Sequence, residues 1–398
     1  MGVGFHKFTN YRRESVNEVE LKHKIGQMLM IGFEGKKLHP EDPIVQAILA
    51  QQVGGVILFD YNKEEKNFNK NIESPGQVKY LTQQLQAYTQ RAALSNKNSL
   101  FPLFIGIDYE GGMVTRLKSK YGFPQTISTE DIGRGTDEQA SKYAHQMADV
   151  LKQIGINFNF APVLDVNVNP ENPVIGALGR SFSSNPEKVA HYASIFSQAY
   201  KEKGILCTYK HFSGHGSSTN DTHDGFVDVT KTWKAYELVP YKTLIRQSES
   251  CPVIMTAHVT NTRLDSKGLP CTLSYEMITK LLREELHFNG VVVTDDMQMK
   301  AIADQYGSAD AIKLSINAGA DILLFGNRMV SVRQDPKQLI DIIYDSIQSG
   351  EISETRINEA YQRIMKLKAQ LRAGYDHESI VASGVTKFHE VNYSKKGY

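Results

Sequence analysis

V-V-V-T-D-D-M-Q-M, Val291 to Met299, is the stretch on which the fold turns. Three valines and a threonine favour extended backbone, and the run is so apolar that nothing in it can react until two carboxylates close it. A strand that is apolar on both faces belongs in a parallel sheet covered by helices, where charge is tolerated only at the strand's end. Side chains alternate along a strand, so Asp295 and Asp296 are expected to point in opposite directions. One carboxylate then faces a pocket, assigned to Asp295, while Asp296 caps the helix beginning at M-Q-M-K-A-I-A-D-Q.

Working outward, seven further apolar runs are bounded by Gly, Pro and polar clusters: 28–33, 53–59, 103–108, 157–166, 206–212, 253–259 and 321–325. Helical periodicity fills the intervals, as in T-D-E-Q-A-S-K-Y-A-H-Q-M-A-D-V-L-K-Q-I-G-I and N-P-E-K-V-A-H-Y-A-S-I-F-S-Q-A-Y-K-E-K-G-I. Thr136, Asn185 and Ser274 stand where N-caps are needed, and Gly155, Gly204, Gly290 and Gly319 where helices end. Eight strand-helix units in about 330 residues predict an α/β fold, a single-domain (β/α)8 TIM-type barrel over 20–373, in preference to an open doubly wound sheet. Residues 374–398 are expected to form a weakly ordered tail, and 62–76 a polar surface excursion.

The barrel reading predicts where chemistry lies, because such folds collect it at the carboxyl ends of their strands. Asp108, Asp165, Lys210, His211, His258, Asp295, Asp296 and Asn327 all fall at predicted strand ends, and no comparable cluster is expected at the other rim.

Bulk properties narrow the function. With 45 Lys and Arg against 44 Asp and Glu, the net charge of +1 offers no field for nucleic acid or an anionic membrane, and a neutral or weakly charged substrate is expected. No apolar run is long enough to span a bilayer, and the amino terminus lacks the apolar core of a secretory leader. The three cysteines, Cys207, Cys251 and Cys271, read as too scattered for a disulfide framework or zinc site, with at least one thiol left unpaired. Together these imply a reducing, cytoplasmic location, or a periplasmic or secreted one if a leader has been removed.

The chemistry concentrates in K-H-F-S-G-H-G-S-S-T-N-D-T-H-D-G-F, Lys210 to Phe226, read as a mobile, polar loop. Asp221 lies two residues from His223, near enough to orient the imidazole and stabilise its protonated form. Alone, this segment is equally well read as an Asx-turn with solvated histidines. Combined with Asp295 it becomes a mechanism: glycoside hydrolysis with retention needs a carboxylate nucleophile and a proton donor about 5 Å apart across the anomeric carbon. An imidazole, with an ordinary pKa of about 6.5, can donate without the heavy burial that a glutamic acid requires.

K-H-F-S-G-H-G with D-T-H, T-D-D-M, I-D-Y-E-G-G-M-V-T-R and G-R-S-F together resemble glycoside hydrolase family 3, and more narrowly its single-domain β-N-acetylglucosaminidases. The likeness runs from about residue 22 to 370 and keeps the motifs in family order. It implies removal of non-reducing terminal β-linked N-acetylglucosamine, from peptidoglycan-derived fragments, with Asp295 as nucleophile and His223 as acid/base partnered by Asp221. It also implies that Asp108, Arg116, Arg180, Lys210 and His211 hold the sugar's hydroxyls and acetamido group. No cofactor or metal is implied, and the partner is a small carbohydrate; oligomeric state is open.

The sequence departs from the family pattern where Ser213 replaces a common proline and Tyr109 a common glutamine. The serine is expected to loosen the loop carrying the dyad, and the tyrosine to alter the subsite wall. The second α/β domain of larger members, which supplies their acid/base glutamate, is not in this sequence, which favours the histidine. Two alternatives remain at this stage: a phosphorylase using phosphate as acceptor, and a metal-dependent barrel hydrolase assembled from His211, His215, His223, His258, Asp221 and Asp295. Trp233 reads as packing rather than a sugar platform.

Overall fold

The computed structural model describes residues 17–50, 52–68, 70–96 and 101–372, so the tail expected over 374–398 lies outside the described residues. Eight strands form one closed ring: β1 (Leu29–Gly32), β2 (Gly55–Leu58), β3 (Phe104–Ile107), β4 (Phe158–Asn159), β5 (Leu206–Phe212), β6 (Val253–Thr256), β7 (Val291–Asp296) and β8 (Ile322–Phe325). Each pairs in parallel with the next in sequence, and β8 closes on β1 with Leu29 opposite Leu323. All eight expected runs are therefore barrel strands. The longest expectation, 157–166, shrinks to the two residues of β4, because Pro162 has no N–H to give to a ladder. Beyond it, only an isolated bridge from Val163 to Lys210 continues the pairing.

The ring's interior is filled by large side chains set against small ones. A Cβ added at Gly106 would stand 3.0 Å from Phe160 and 3.4 Å from the sulfur of Met30. Phe104, Phe158 and Phe160 pack in succession, edge to face and then tilted, with ring centroids 5.3 and 5.2 Å apart. The barrel is thus a packed core and not a pore.

The helices begin as their sequences dictate. Thr136 accepts from Gln139 N while the Gln139 side chain accepts from Thr136 N, a reciprocal box that starts the helix Asp137–Gln153. Asn185 accepts from Lys188 N ahead of Pro186–Lys203, and Gly204 ends that helix in the left-handed region with φ 72°. The Ser274 hydroxyl accepts from Met277 N, but the segment that follows, Glu276–Glu285, winds as a π-helix rather than an α-helix. Gly290 does not end a helix; a Cβ there would lie 2.3 Å from the Pro252 carbonyl oxygen, so it is the close approach to β6 that requires glycine.

Three expectations are corrected. Residues 62–76 are not a free surface excursion: Asn62, Lys70, Asn71 and Ile72 are buried, and the Lys70 ammonium donates to the Asn327 carbonyl (2.7 Å) and pairs with Glu34. The amino-terminal rim does carry a charge cluster. Asp321 is fully buried there among Arg283, Arg356 and Arg363 and also accepts from Val292 N. Finally, Cys207 of β5 and Cys251 just before β6 are joined by a disulfide, so two of the three cysteines were not too scattered to pair. Cys271 is the free thiol, and burial pushes it up to about 12. Among the described residues, no helix is long and apolar enough to cross a membrane.

Removing Asp321 would strand three guanidinium groups at a rim where water is scarce. Asp321→Ala is expected to lower the unfolding free energy by about 3 kcal/mol, the lower end for breaking a buried ion pair. Urea denaturation followed by circular dichroism checks this, and a loss below about 1 kcal/mol would show that the arginines find other partners.

Candidate active site

The carboxyl ends of the strands open into a cavity of about 250 Å³, lined by Asp108, Arg116, Arg180, Lys210, His211, Asp221, His223 and Asp295. All eight residues singled out from the sequence meet in one place. They arrive from widely separated segments because each sits just at or beyond a strand end, where the ring forces the chain out of the core.

The first group is a buried ion network. The Lys210 ammonium lies 3.0 Å from Asp108 Oδ1 and 2.6 Å from Glu110 Oε1. Arg116 donates to the other oxygen of Asp108 (2.9 Å). Arg180 grips Glu110 in a two-point fork, Nε to Oε2 at 2.8 Å and Nη2 to Oε1 at 2.7 Å, and its Nη1 reaches the Val174 carbonyl. Burial alone would push the Asp108 and Glu110 carboxyls up. Lys210 with Arg116, and Arg180 with Lys210, outweigh it and hold both below the ordinary carboxylate range. Glu110 was missed in the sequence although it lies within I-D-Y-E-G-G-M-V-T-R; nothing in the string says that its carboxylate turns inward to join Lys210 to Arg180.

Asp165, noted near the end of the expected run 157–166 but given no role, proves to be the orienting group of the loop after β5. Its Oδ2 accepts from His211 Nδ1 (2.6 Å) and its Oδ1 from His215 N (2.8 Å). With Nδ1–H committed, the Nε2 of His211 is the edge left toward the cavity, 3.4 Å from Arg180 Nη2. The glycines of this loop are needed for contact as well as turning: a Cβ on Gly216 would stand 1.8 Å from the Val166 carbonyl oxygen.

The loop itself is tighter than expected. Residues 213–218 are buried, Trp233 Nε1 donates to the Ser213 carbonyl (3.0 Å), and Asn172 Nδ2 donates to that of His215 (2.7 Å). Ser213 thus lies in a pinned segment despite lacking the proline's rigidity, and Trp233 is packing, as its sequence context predicted. The dyad follows at the exposed edge. Asp221 Oδ1 accepts from both Nδ1 (2.7 Å) and N (2.8 Å) of His223, which directs Nε2 outward. Burial is the largest single influence and would raise the Asp221 carboxyl, but the hydrogen bonds and electrostatic pull of His223, with Lys63, together outweigh it and hold it low, so it is the ionised partner.

Both carboxylates of T-D-D-M line the cavity, and this departs from the expected opposition. Asp296 does not cap a helix. Its Oδ1 accepts from Gln298 N and Gly326 N, both at 3.1 Å, while burial pushes its carboxyl up. Asp295 is different: burial would raise it, but the imidazoles of His258, His211 and His223 outweigh that and keep it an anion. His258 lies beneath, donating from Nε2 to the Asp296 carbonyl (3.0 Å). Asn327 is a structural knot that ties β1, the loop after β7 and its own loop through Gly32, Gln298 and Gln334.

Glu237 supports the dyad loop from below, buried with its Oε1 accepting from Lys234 N, and burial pushes its carboxyl up to about 7. In the unfolded chain the same group titrates near its ordinary value of about 4.3, so the folded state holds the extra proton between those pH values. Its stabilising contribution is complete below about pH 4 and is lost as pH rises to about 7, a fall of roughly 3 kcal/mol. Glu237→Gln, which mimics the protonated acid, is expected to abolish this fall. Urea midpoints at pH 5 and pH 8 test it, and parallel pH dependence in variant and wild type would remove Glu237 from the account.

The sequence pattern of the glycosyl hydrolase family 3 N terminal domain matches residues 20–367. Beta-hexosaminidase A of Pseudoalteromonas piscicida is 33% identical over 383 residues, covering 87% of this chain and 60% of that protein. Among solved structures, the glycoside hydrolase family 3 β-N-acetylglucosaminidase of Paenibacillus sp. superposes with a TM-score of 0.78 at 35% identity, covering 89% of this chain and 63% of that one. The β-N-acetylhexosaminidase of Beutenbergia cavernae superposes at 0.75 with 27% identity, covering 88% and 98%. The chain therefore spans about three fifths of the length of the first two relatives, and nearly all of the third. A ring of eight parallel strands, a buried carboxylate and lysine network at its mouth, and this pattern across most of its length place the chain in glycosyl hydrolase family 3.

Proposed function

We propose that the chain is a retaining β-N-acetylhexosaminidase that removes non-reducing terminal β-linked N-acetylglucosamine, with peptidoglycan-derived fragments as the natural source. The observation that carries this reading is the pairing, in one cavity, of an ionised Asp295 with an imidazole whose far nitrogen is held by Asp221. The names of its relatives support the sugar class.

In this scheme the Asp295 carboxylate attacks the anomeric carbon while protonated His223 gives its Nε2 proton to the departing oxygen, leaving a glycosyl ester on Asp295. Water then attacks the same carbon as His223 takes the proton back, and Asp295 is released. Asp221 keeps the imidazole in the correct orientation and balances its charge when protonated. Asp108, Arg116, Arg180, Lys210 and His211 bind the sugar; their bonds to hydroxyls strengthen as the ring flattens toward the transition state. Arg180 and Lys210 are largely committed to Glu110 and Asp108, so they act as a fixed, preorganised frame.

For the compartment, the disulfide supports the periplasmic or secreted alternative over the cytoplasmic one, since such bonds persist in an oxidising environment. Thiol titration of the denatured chain without reductant is expected to find one of the three cysteines free; finding all three would restore the reducing compartment.

The central test compares nitrophenyl and alkyl β-N-acetylglucosaminides. Asp295→Ala is expected to lose roughly 10³-fold or more in kcat on both. His223→Ala should lose about 10²-fold or more on the alkyl glycoside, whose leaving oxygen needs a proton, and much less on nitrophenol, which does not. Equal losses on the two substrates would deny His223 the acid role, and an active Asp295→Ala would deny the nucleophile.

A further inference from the structure

His258 has no part in the scheme above, yet both of its ring nitrogens are engaged. It lies two residues beyond β6, is 1% exposed, and sets Nε2 3.0 Å from the Asp296 carbonyl oxygen and Nδ1 2.8 Å from Thr272 Oγ1. A carbonyl oxygen can only accept, so Nε2 carries the proton. Burial holds the imidazole below its ordinary range against the upward pull of the Asp295 carboxylate, which leaves it neutral with Nδ1 as an acceptor. The Thr272 hydroxyl therefore donates to Nδ1. The other acceptor within its reach, the Ala257 carbonyl at 3.0 Å, already accepts from Thr272 N at 3.3 Å. Thr256 Oγ1 lies 2.8 Å from Thr272 Oγ1 and donates to it. Three buried side chains thus form one chain with one direction, from Thr256 to Thr272, from Thr272 to His258, and from His258 to Asp296.

That chain ends beside the nucleophile. The ladder between β6 and β7 runs from Val253 opposite Val291 to Met255 opposite Val293, and on the other side the pairing of β7 with β8 shifts register between Val293 and Asp296. The last residues of β7 are therefore held less by the sheet than by side chains and loop amides. His258 holds the Asp296 carbonyl, Gly326 N and Gln298 N donate to its Oδ1, and its own N–H donates to Asp295 Oδ1 at 2.7 Å. Asp296 is thus the link between the imidazole and the nucleophile. A carboxylate that must meet the anomeric carbon in line loses rate steeply when it is displaced, by about 10²-fold for about 1 Å.

We infer that His258 is a positioning residue for the nucleophile: kept in one tautomer by Thr272, it anchors Asp296 and so aims the Asp295 carboxylate at the anomeric carbon. This rests on the glycosidase reading with Asp295 as nucleophile and adds the group that holds it in place. His258 does not touch the sugar in this role, so its loss acts on the chemical step and not on binding.

The test reads the first step alone, as single-turnover release of nitrophenol from nitrophenyl β-N-acetylglucosaminide with enzyme in excess, because that leaving group needs no proton. His258→Leu is expected to slow this step about 10²-fold while the inhibition constant of N-acetylglucosamine moves by less than about twofold. His258→Gln, whose amide places an N–H near the Nε2 position, should recover about tenfold of that loss, and Thr272→Ser, which keeps the hydroxyl, should be faster than Thr272→Val by about tenfold. Circular dichroism and urea midpoints report the folding of each variant. A His258→Leu rate within about threefold of wild type, equal losses in His258→Leu and His258→Gln, or an inhibition constant that rises in step with the rate loss would overturn the positioning role and leave the glycosidase reading intact. Should His258→Leu fail to fold, the Thr272 pair decides, and equal rates in Thr272→Val and Thr272→Ser overturn it. A wild type that cleaves no nitrophenyl glycoside, or an Asp295→Ala variant that does, would instead defeat the glycosidase reading itself.

Discussion

A closed ring of parallel strands, packed inside by side chains and outside by helices, leaves no surface along its length where a charge can stay hydrated. Charged residues are therefore expelled to the two rims, and the rest of this structure follows from what each rim does with them. At the amino-terminal rim they are spent on cohesion, with Asp321 among three arginines and Lys368 donating to Gln27 and the Gly54 carbonyl. At the carboxyl rim they surround a cavity, and only part of the charge is neutralised internally.

That incomplete neutralisation distinguishes a site from a rivet. Lys210, Arg116, Arg180, Asp108 and Glu110 satisfy one another and form a rigid frame whose cost of desolvation is offset by short, multiple contacts. Asp165 holds His211 in the same manner. Against this frame stand Asp295, which accepts from its neighbour's backbone N–H at 2.7 Å, and the outward edge of His223. Preorganisation and reactivity are thus assigned to different residues in one small volume, which is what a reaction developing charge at a sugar ring requires.

Where expectation and structure part, long-range packing is the cause each time. The loop after β5 has the composition of a mobile, solvated segment, yet Asp165 and Asn172 from the segment after β4, and Trp233 from further along, approach and bury it. The turn beyond β2 is dense in Lys, Glu and Asn, but Lys70 and Asn71 find carbonyl oxygens of the β1 and β8 loops to which they donate. Cys207 and Cys251 are 44 residues apart and become neighbours because β5 and β6 are adjacent staves. Asp296 was expected to cap a helix and instead accepts from Gly326, on the neighbouring strand's loop.

The sequence by itself determined the strands, their order and the end at which chemistry collects. Those properties are local: apolar runs, helix caps and the position of the first charge after each run are written in consecutive residues. It also contained Asp295, the Asp221–His223 spacing and the five proposed sugar-binding residues, since each lies in a motif or at a strand end. Only the tertiary structure decided which charges cancel. Whether Glu110 bridges Lys210 to Arg180 and whether Asp165 orients His211 depend on distances of a few ångströms between segments up to about 100 positions apart. Electrostatic energy depends on separation in space and on burial, and neither is encoded in the spacing of residues along the chain.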